Sequence, residues 1–187
     1  MQESSTIKSE NLSFITKFFY GAGDTGFALT DTIIGLLFSN FLIKVVGLSP
    51  SQVAIAIFAG KTWDWINDPL IGALSDRTRS RWGRRRVFLL FGFIPFGLAF
   101  LSLWWKPPFV EDWMLVAYYA FAFMLYDASA TLVNMPYYAL TPELTEDYDE
   151  RTSLTSYRMA FSIIGSLIAF TLPLELIGDR TPEKAGL

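Results

Sequence analysis

The chain has 187 residues, of which 52% are hydrophobic, 17% aromatic and 18% charged, with a formal net charge of −3. With neither cysteine nor histidine, it can form no disulfide or thiolate metal site and has no imidazole for acid–base work or metal ligation. No basic balance invites nucleic acid as a partner, so proton or cation chemistry falls to carboxylates, amides, hydroxyls and carbonyls.

The apolar residues gather in five segments, at about 13–46, 50–75, 86–105, 111–140 and 152–177. A helix needs about 20 apolar residues to cross about 30 Å of hydrocarbon, so the expected fold is an all-α, multi-pass membrane protein. The first segment begins near Phe14 and carries Asp24 and Asp31. It is too long for the core of a signal peptide and reads as a retained membrane helix. Asp24 and Asp31 lie seven apart on one face, near Gly21, Gly23 and Gly26, whose small size allows a second helix to approach. Acidic residues inside a span default to function, and here the expected role is contact with a polar solute.

The second segment opens on Ser49, Pro50, Ser51 and Gln52, an N-cap, a first-turn proline and a capping-box glutamine. Its middle holds Lys61, Asp64, Asn67, Asp68 and Pro69. Asp64 and Asp68 are one turn apart on one face, with Lys61 three residues earlier. A charge at mid-bilayer costs about 2.5–3.5 kcal/mol on insertion scales, so three in eight residues need compensation. Neighbouring carboxylates repel, which favours a proton on one or a cation between them. That is the physics of a coupling site for Na+ or H+, with Na+ at Asp64 and Asp68 and Lys61 balancing charge when the cation is absent. A packing ion pair between Lys61 and one aspartate would leave the second without a role. Pro69 withholds an amide donor and frees a carbonyl one turn earlier, either as a ligand or as a plain kink.

The connection to the third segment is rich in arginine: Arg77, Arg79, Arg81, Arg84, Arg85 and Arg86. It reads as a topology signal or as a cytoplasmic gate, in which Asp76, Arg77, Arg81 and Arg84 join a network with Glu143, Glu146, Asp147, Asp149 and Glu150. Single exposed pairs are weak, so a gate needs the network. Pro107 and Pro108 stop the third segment. The fourth carries Asp127 and Asn134, again seven apart, and Asp127 joins Asp24 and Asp31 as a candidate solute contact. Tyr20, Trp63, Trp65, Tyr126, Tyr137 and Tyr138 offer rings for stacking on a sugar. Asp149 and Glu150 suit the positive dipole end of the fifth segment.

Counting Lys8, Lys17, Arg151 and Arg158 with the arginine loop, ten basic residues fall on one side and four on the other. The positive-inside rule then puts the N-terminus in the cytoplasm of a cell (inner) membrane, with lipid as the surrounding partner. The chain stops soon after the fifth segment, and five helices make an odd stopping place. The expectation is an N-terminal transmembrane part, 1–187, of a longer protein.

The string WDWINDPLIGALSDRTRSRWGRRR at 63–86 resembles the glycoside–pentoside–hexuronide:cation symporter family of the major facilitator superfamily. The pattern there runs approximately D-x3-DP-x2-G-x3-D-R-T-x2-R-W-G. The likeness continues at YGAGD (20–24), VGLS (46–49), NMPYYALTPEL (134–144) and ERTSLTSYRMAF (150–161), in order along nearly the whole chain. The resemblance implies twelve helices in two six-helix halves, this chain being most of the first and its missing C-terminal half a necessary partner. It also implies symport of a small polar solute, a sugar or glycoside, with no cofactor beyond the coupling ion. By the same resemblance Asp64 and Asp68 match cation-site aspartates, and Asn134 falls where a relative has an aspartate near that site. Arg158 matches an arginine near the sugar path, and Arg77 and Arg81 match the loop motif. Ala28 stands where one member has its main sugar-binding aspartate, and Arg85-Arg86-Val87 replaces a more usual aromatic-arginine-proline run. Some relatives of the same fold carry lipids. An enzyme reading, an intramembrane aspartyl protease built on Gly21-Ala22-Gly23-Asp24 and Tyr126-Asp127, reverses the usual order and gives Asp64 and Asp68 no role.

Overall fold

The computed structural model describes residues 12–81 and 85–178, the last five by backbone alone. The described residues form helices and no strand. Helix α1 (Phe14–Ile33) runs on through a π-helical stretch (Ile34–Phe38), one turn of α-helix, α2 (Ser39–Phe41), and a second π-helical stretch (Leu42–Val46). Gly47 ends it at φ 98°, a left-handed conformation open to glycine, with its amide bonded to the Leu42 carbonyl at 3.1 Å. Then follow α3 (Pro50–Thr62), α4 (Asp64–Arg77), α5 (Arg86–Leu103), α6 (Asp112–Tyr138), the single turn α7 (Thr141–Leu144) and α8 (Tyr148–Gly178).

Among the described residues, four helical stretches are long and apolar enough to cross a membrane: Phe14–Val46, Arg86–Leu103, Asp112–Leu144 and Tyr148–Pro173. The expected second span forms as two helices meeting at Trp63, and its load of Lys61, Asp64, Asp68, Asp76 and Arg77 keeps it outside that apolar set. The break lies about one and a half turns before Pro69, which has no amide to give the Trp65 carbonyl. The predicted cap of α3 is present: Ser49 N donates to Gln52 Oε1 at 2.8 Å and Gln52 N to Ser49 Oγ at 3.4 Å. Helix α8 starts earlier than the expected residue 152, because Asp147 Oδ1 accepts the amides of Asp149 and Glu150 at 2.8 and 3.1 Å.

Chain contacts divide the protein into two compact units, 1–29 with 141–187, and 30–140. In the first, α1 and α8 touch backbone to backbone. A Cβ on Gly165 would lie 2.6 Å from the Thr25 carbonyl oxygen, and one on Gly21 3.0 Å from the Tyr157 carbonyl. Small residues at such crossings let membrane helices approach where apolar burial supplies no net drive. Phe18 and Phe161 meet edge to face at 5.0 Å. Lys17 and Glu150 form an ion pair at 2.9 Å, their side chains only 15% and 10% exposed.

In the second unit α6 is central, with α3, α4 and α5 all packed on it. Gly60 on α3 and Gly92 on α5 admit Phe123 and Val133 of α6, where an added Cβ would fall 2.7 Å from a side-chain carbon. Phe38, Leu42, Leu103, Tyr119 and Phe123 fill the core. The two tyrosine hydroxyls beneath it reach backbone carbonyls, Tyr118 to Ser102 at 2.9 Å and Tyr119 to Trp105 at 3.1 Å.

Candidate functional site

Within 30–140, the polar residues that packing does not account for collect where α4 meets α6. On α4, Asp64, Asn67 and Asp68 share one face by helical periodicity, and on α6 so do Asp127, Thr131 and Asn134. The Asp64 and Asp127 carboxyls lie within hydrogen-bonding reach of each other, with Lys61 and Asp68 in electrostatic range of Asp127. The Thr131 hydroxyl donates to Asp68 Oδ1 at 3.2 Å. Asp64 Oδ1, Asn67 Nδ2, Asp127 Oδ2 and Asn134 Oδ1 are buried and have no hydrogen-bond partner among the described residues. Asn67 is only 3% exposed.

An unsatisfied buried polar atom costs about 1–3 kcal/mol, and such atoms are rare in folded proteins. Four on two apposed helices exceed what packing explains. Two carboxylates at hydrogen-bonding range repel unless a proton or cation lies between them. No group of three or more carboxylates among the described residues has ready metal-binding geometry. The arrangement is a carboxyl pair, Asp64 with Asp127, flanked by Asp68 and by amide and hydroxyl groups. Such hard oxygen donors suit a proton or a small hard cation.

Lys61 is exposed, and among the described residues no ion pair joins it to Asp64 or Asp68. A permanent packing ion pair therefore accounts for neither aspartate. Asp127, expected among solute contacts, lies beside Asp64. Sequence reasoning missed Asn67 and Thr131. The available signals were Asn67's place between the two aspartates and Thr131's place four residues after Asp127.

Asp31 is exposed on α1 and accepts a 2.9 Å hydrogen bond from Tyr126, whose ring is buried against Phe96. Asp24 is buried, at 7% exposure, in the 1–29 and 141–187 unit. Arg158 of the same unit is half-buried and follows Tyr157, which meets α1 at Gly21. Of the expected gate residues, Asp76 pairs with Arg85 at 3.6 Å, and Arg85 also donates to the Ala139 carbonyl at the end of α6. Arg77 and Arg81 are exposed, and Arg84 lies outside the described residues. Glu150 takes Lys17 as its partner, and Asp147 serves as the α8 cap.

A sequence profile of the family described as MFS/sugar transport protein matches residues 19–184. An uncharacterized symporter of Synechocystis is 45% identical over 186 residues, covering 97% of this chain and 34% of that protein. The inner membrane symporter YicJ of Escherichia coli is 33% identical over 180 residues, covering 94% and 39% respectively. A sodium-dependent lysophosphatidylcholine symporter, 1-A of Danio rerio, is 30% identical over 175 residues, covering 92% and 32%. The chain spans about a third of the length of these curated relatives.

Proposed function

Because the chain belongs to the MFS/sugar transport protein family, within the glycoside–pentoside–hexuronide:cation symporters, we propose that it forms the N-terminal part of a cation-coupled symporter. It is a multi-pass membrane protein of a transporter family and not an enzyme, which removes the aspartyl protease reading. The cargo is a small polar solute, a sugar or glycoside, moved by alternating access with Na+ or H+. Asp64 and Asp68 bind the cation, with Asn134 on the facing helix. Asp24, Asp31 and Arg158 contact the solute, and Lys61 compensates charge when the cation has left. The ten-to-four bias of basic residues supports an N-terminus in the cytoplasm of the inner membrane.

One observation carries this reading: buried carboxyl oxygens on Asp64 and Asp127 that no described protein group satisfies. At a cost of about 2.5–3.5 kcal/mol per intramembrane charge, a fold keeps such groups when a positively charged cargo visits them. Cation arrival neutralises the site and biases the two-state equilibrium by its differential affinity for the two states. A second reading, a lipid solute, draws on the name of the Danio rerio relative. The carboxylates of α1 favour the hydroxyl-rich cargo.

The test is uptake of a panel of labelled glycosides, and of labelled lysophosphatidylcholine, by cells making the full-length protein, with and without Na+ and at two pH values. A glycoside should accumulate in a cation-dependent way, and Asp64→Asn or Asp68→Asn should abolish the dependence. Dependence unchanged in both variants would overturn the coupling assignment, and uptake of the lipid alone would overturn the solute class.

A further inference from the structure

The helix that begins as α1 changes its winding beyond Asp31. Two stretches, Ile34–Phe38 and Leu42–Val46, close i→i+5 where an α-helix closes i→i+4. The second has a local cause, because it ends the helix: the amides of Gly47 and Leu48 both reach the Leu42 carbonyl at 3.1 Å. The first lies mid-helix and ends nothing. We propose that this first stretch is a mobile wide turn: by shifting one turn toward the N-terminus it swings Asp31 off Tyr126, and so couples the winding of helix 1 to the hold on the solute. The role of Asp31 comes from the transport reading above, whereas the mobility of the turn stands apart from it.

Packing does not require the wide turn at 34–38. Phe38, Leu42 and Val46 recur every four residues and are all buried in the core of the 30–140 unit. A four-residue repeat drifts about 40° per step around an α-helix, and the turn at 42–46 supplies the correction for that row. The turn at 34–38 precedes the row, and only the half-buried Ile34 shares in the alignment. Within it Gly35 and Leu36 are exposed, and nothing among the described residues lies within 4 Å of a Cβ added to Gly35. The turn can therefore rewind without repacking a neighbour. Its backbone is also provided for. Rewinding moves the bond on the Leu36 carbonyl from the Phe41 amide to that of Asn40, and the Asn40 side chain already donates to this carbonyl at 3.3 Å. The carbonyl thus keeps a partner throughout, as the hydrocarbon region demands. A wide turn holds about one residue more than an α turn, so its passage rotates the residues it crosses by about 100° and leaves both flanks facing as before. Asp31, less than one turn before Ile34, lies among those crossed, while Phe38 stays anchored. The single 2.9 Å bond from Tyr126 is what such a step breaks.

The experiment deletes Gly35 from the full-length protein, which removes the spare residue and lets the turn close as α-helix with Asp31 still opposite Tyr126. Deletion of Gly26, also free of neighbours within 4 Å but in the regular part of α1, is the control. It must turn one flank against the other by about 100°. Gly35→Ala, which keeps the residue count, separates the wide turn from the loss of a glycine. Melting in detergent should place the Gly35 deletion at or above wild type and the Gly26 deletion far below it. Amide hydrogen exchange over 30–39 should be about ten-fold slower in the Gly35 deletion than in wild type, and near wild type in Gly35→Ala, since such exchange reads local opening. With a labelled glycoside that the wild type transports, the Gly35 deletion should lower kcat several-fold with KM held, and Gly35→Ala should lower neither. A Gly35 deletion that melts as low as the Gly26 deletion overturns the inference, because the turn then holds no spare residue. Unchanged hydrogen exchange over 30–39, or wild-type kcat in the folded deletion, overturns it as well. A wild type that carries no glycoside sinks the solute reading alone, and melting with hydrogen exchange then decides whether the turn moves.

Discussion

Gly165→Ala is the sharpest test of how α1 and α8 meet. The added methyl would sit 2.6 Å from the Thr25 carbonyl oxygen and 3.2 Å from its Cα, against contacts that real Cβ atoms essentially never make below 3.0 Å. Both obstacles are backbone, so no rotamer change relieves them, and the helices must part by at least several tenths of an ångström. Overpacking of this kind costs about 1–3 kcal/mol. Glycine to alanine in a helix otherwise gains about 0.5–1 kcal/mol, so the clash outweighs propensity. Gly26→Ala supplies the paired control, since nothing lies within 4 Å of its added Cβ. Heating the full-length protein in detergent, and following the monodisperse peak by size-exclusion fluorescence, should show Gly165→Ala melting several degrees below wild type. Gly26→Ala should match or exceed wild type. Equal melting of the two variants would refute the close crossing.

Lys17→Ala should destabilise the same unit by roughly 1–3 kcal/mol, because it strands the largely buried Glu150 carboxylate with the Leu12 amide at 3.2 Å. The reversal Lys17→Glu with Glu150→Lys should recover much of the loss in the same melting assay. Ser49→Ala, which breaks the capping box of α3, should cost about 1 kcal/mol without altering cation dependence of uptake. Tyr126→Phe removes the 2.9 Å hydrogen bond that orients Asp31. With Asp31 as a solute contact, it should raise the solute KM several-fold while kcat holds, as read from initial rates of uptake.

The parts of the fold that are legible in the sequence are those with local causes. Ser49, Pro50 and Gln52 announce the start of α3 because capping chemistry is complete within four residues. Pro107 and Pro108 likewise lie just beyond the end of α5. The early start of α8 is also written locally, in Asp147, but the neighbouring acidic residues pull the reading toward a gate instead. The π-helical stretches at 34–38 and 42–46 leave no such mark, since an apolar run fits either winding. The break at Trp63 is half legible: Pro69 predicts trouble one turn earlier without fixing the residue that yields.

The candidate site divides the same way. Asp64 and Asp68 stand out from one segment alone, because two acids one turn apart in an apolar run are costly unless a positive charge visits them. Asp127 stands out as an intramembrane acid, but sequence alone assigns it to the solute. Its neighbour depends on the register of α4 against α6, which no local pattern encodes. Thr131 escapes notice because a hydroxyl on an apolar helix usually bonds its own backbone, as Ser129 does to the Leu125 carbonyl at 2.7 Å. Its bond to Asp68 is visible only after packing.

Whether the acid pair on α4 links cation movement to solute movement is tested most directly by comparing two fluxes in proteoliposomes holding the full-length protein with Asp64→Asn. One is uphill accumulation of solute driven by an imposed cation gradient, and the other is exchange of labelled for unlabelled solute at equilibrium. Accumulation should vanish while exchange persists. Accumulation at the wild-type level in that variant would contradict the coupling role.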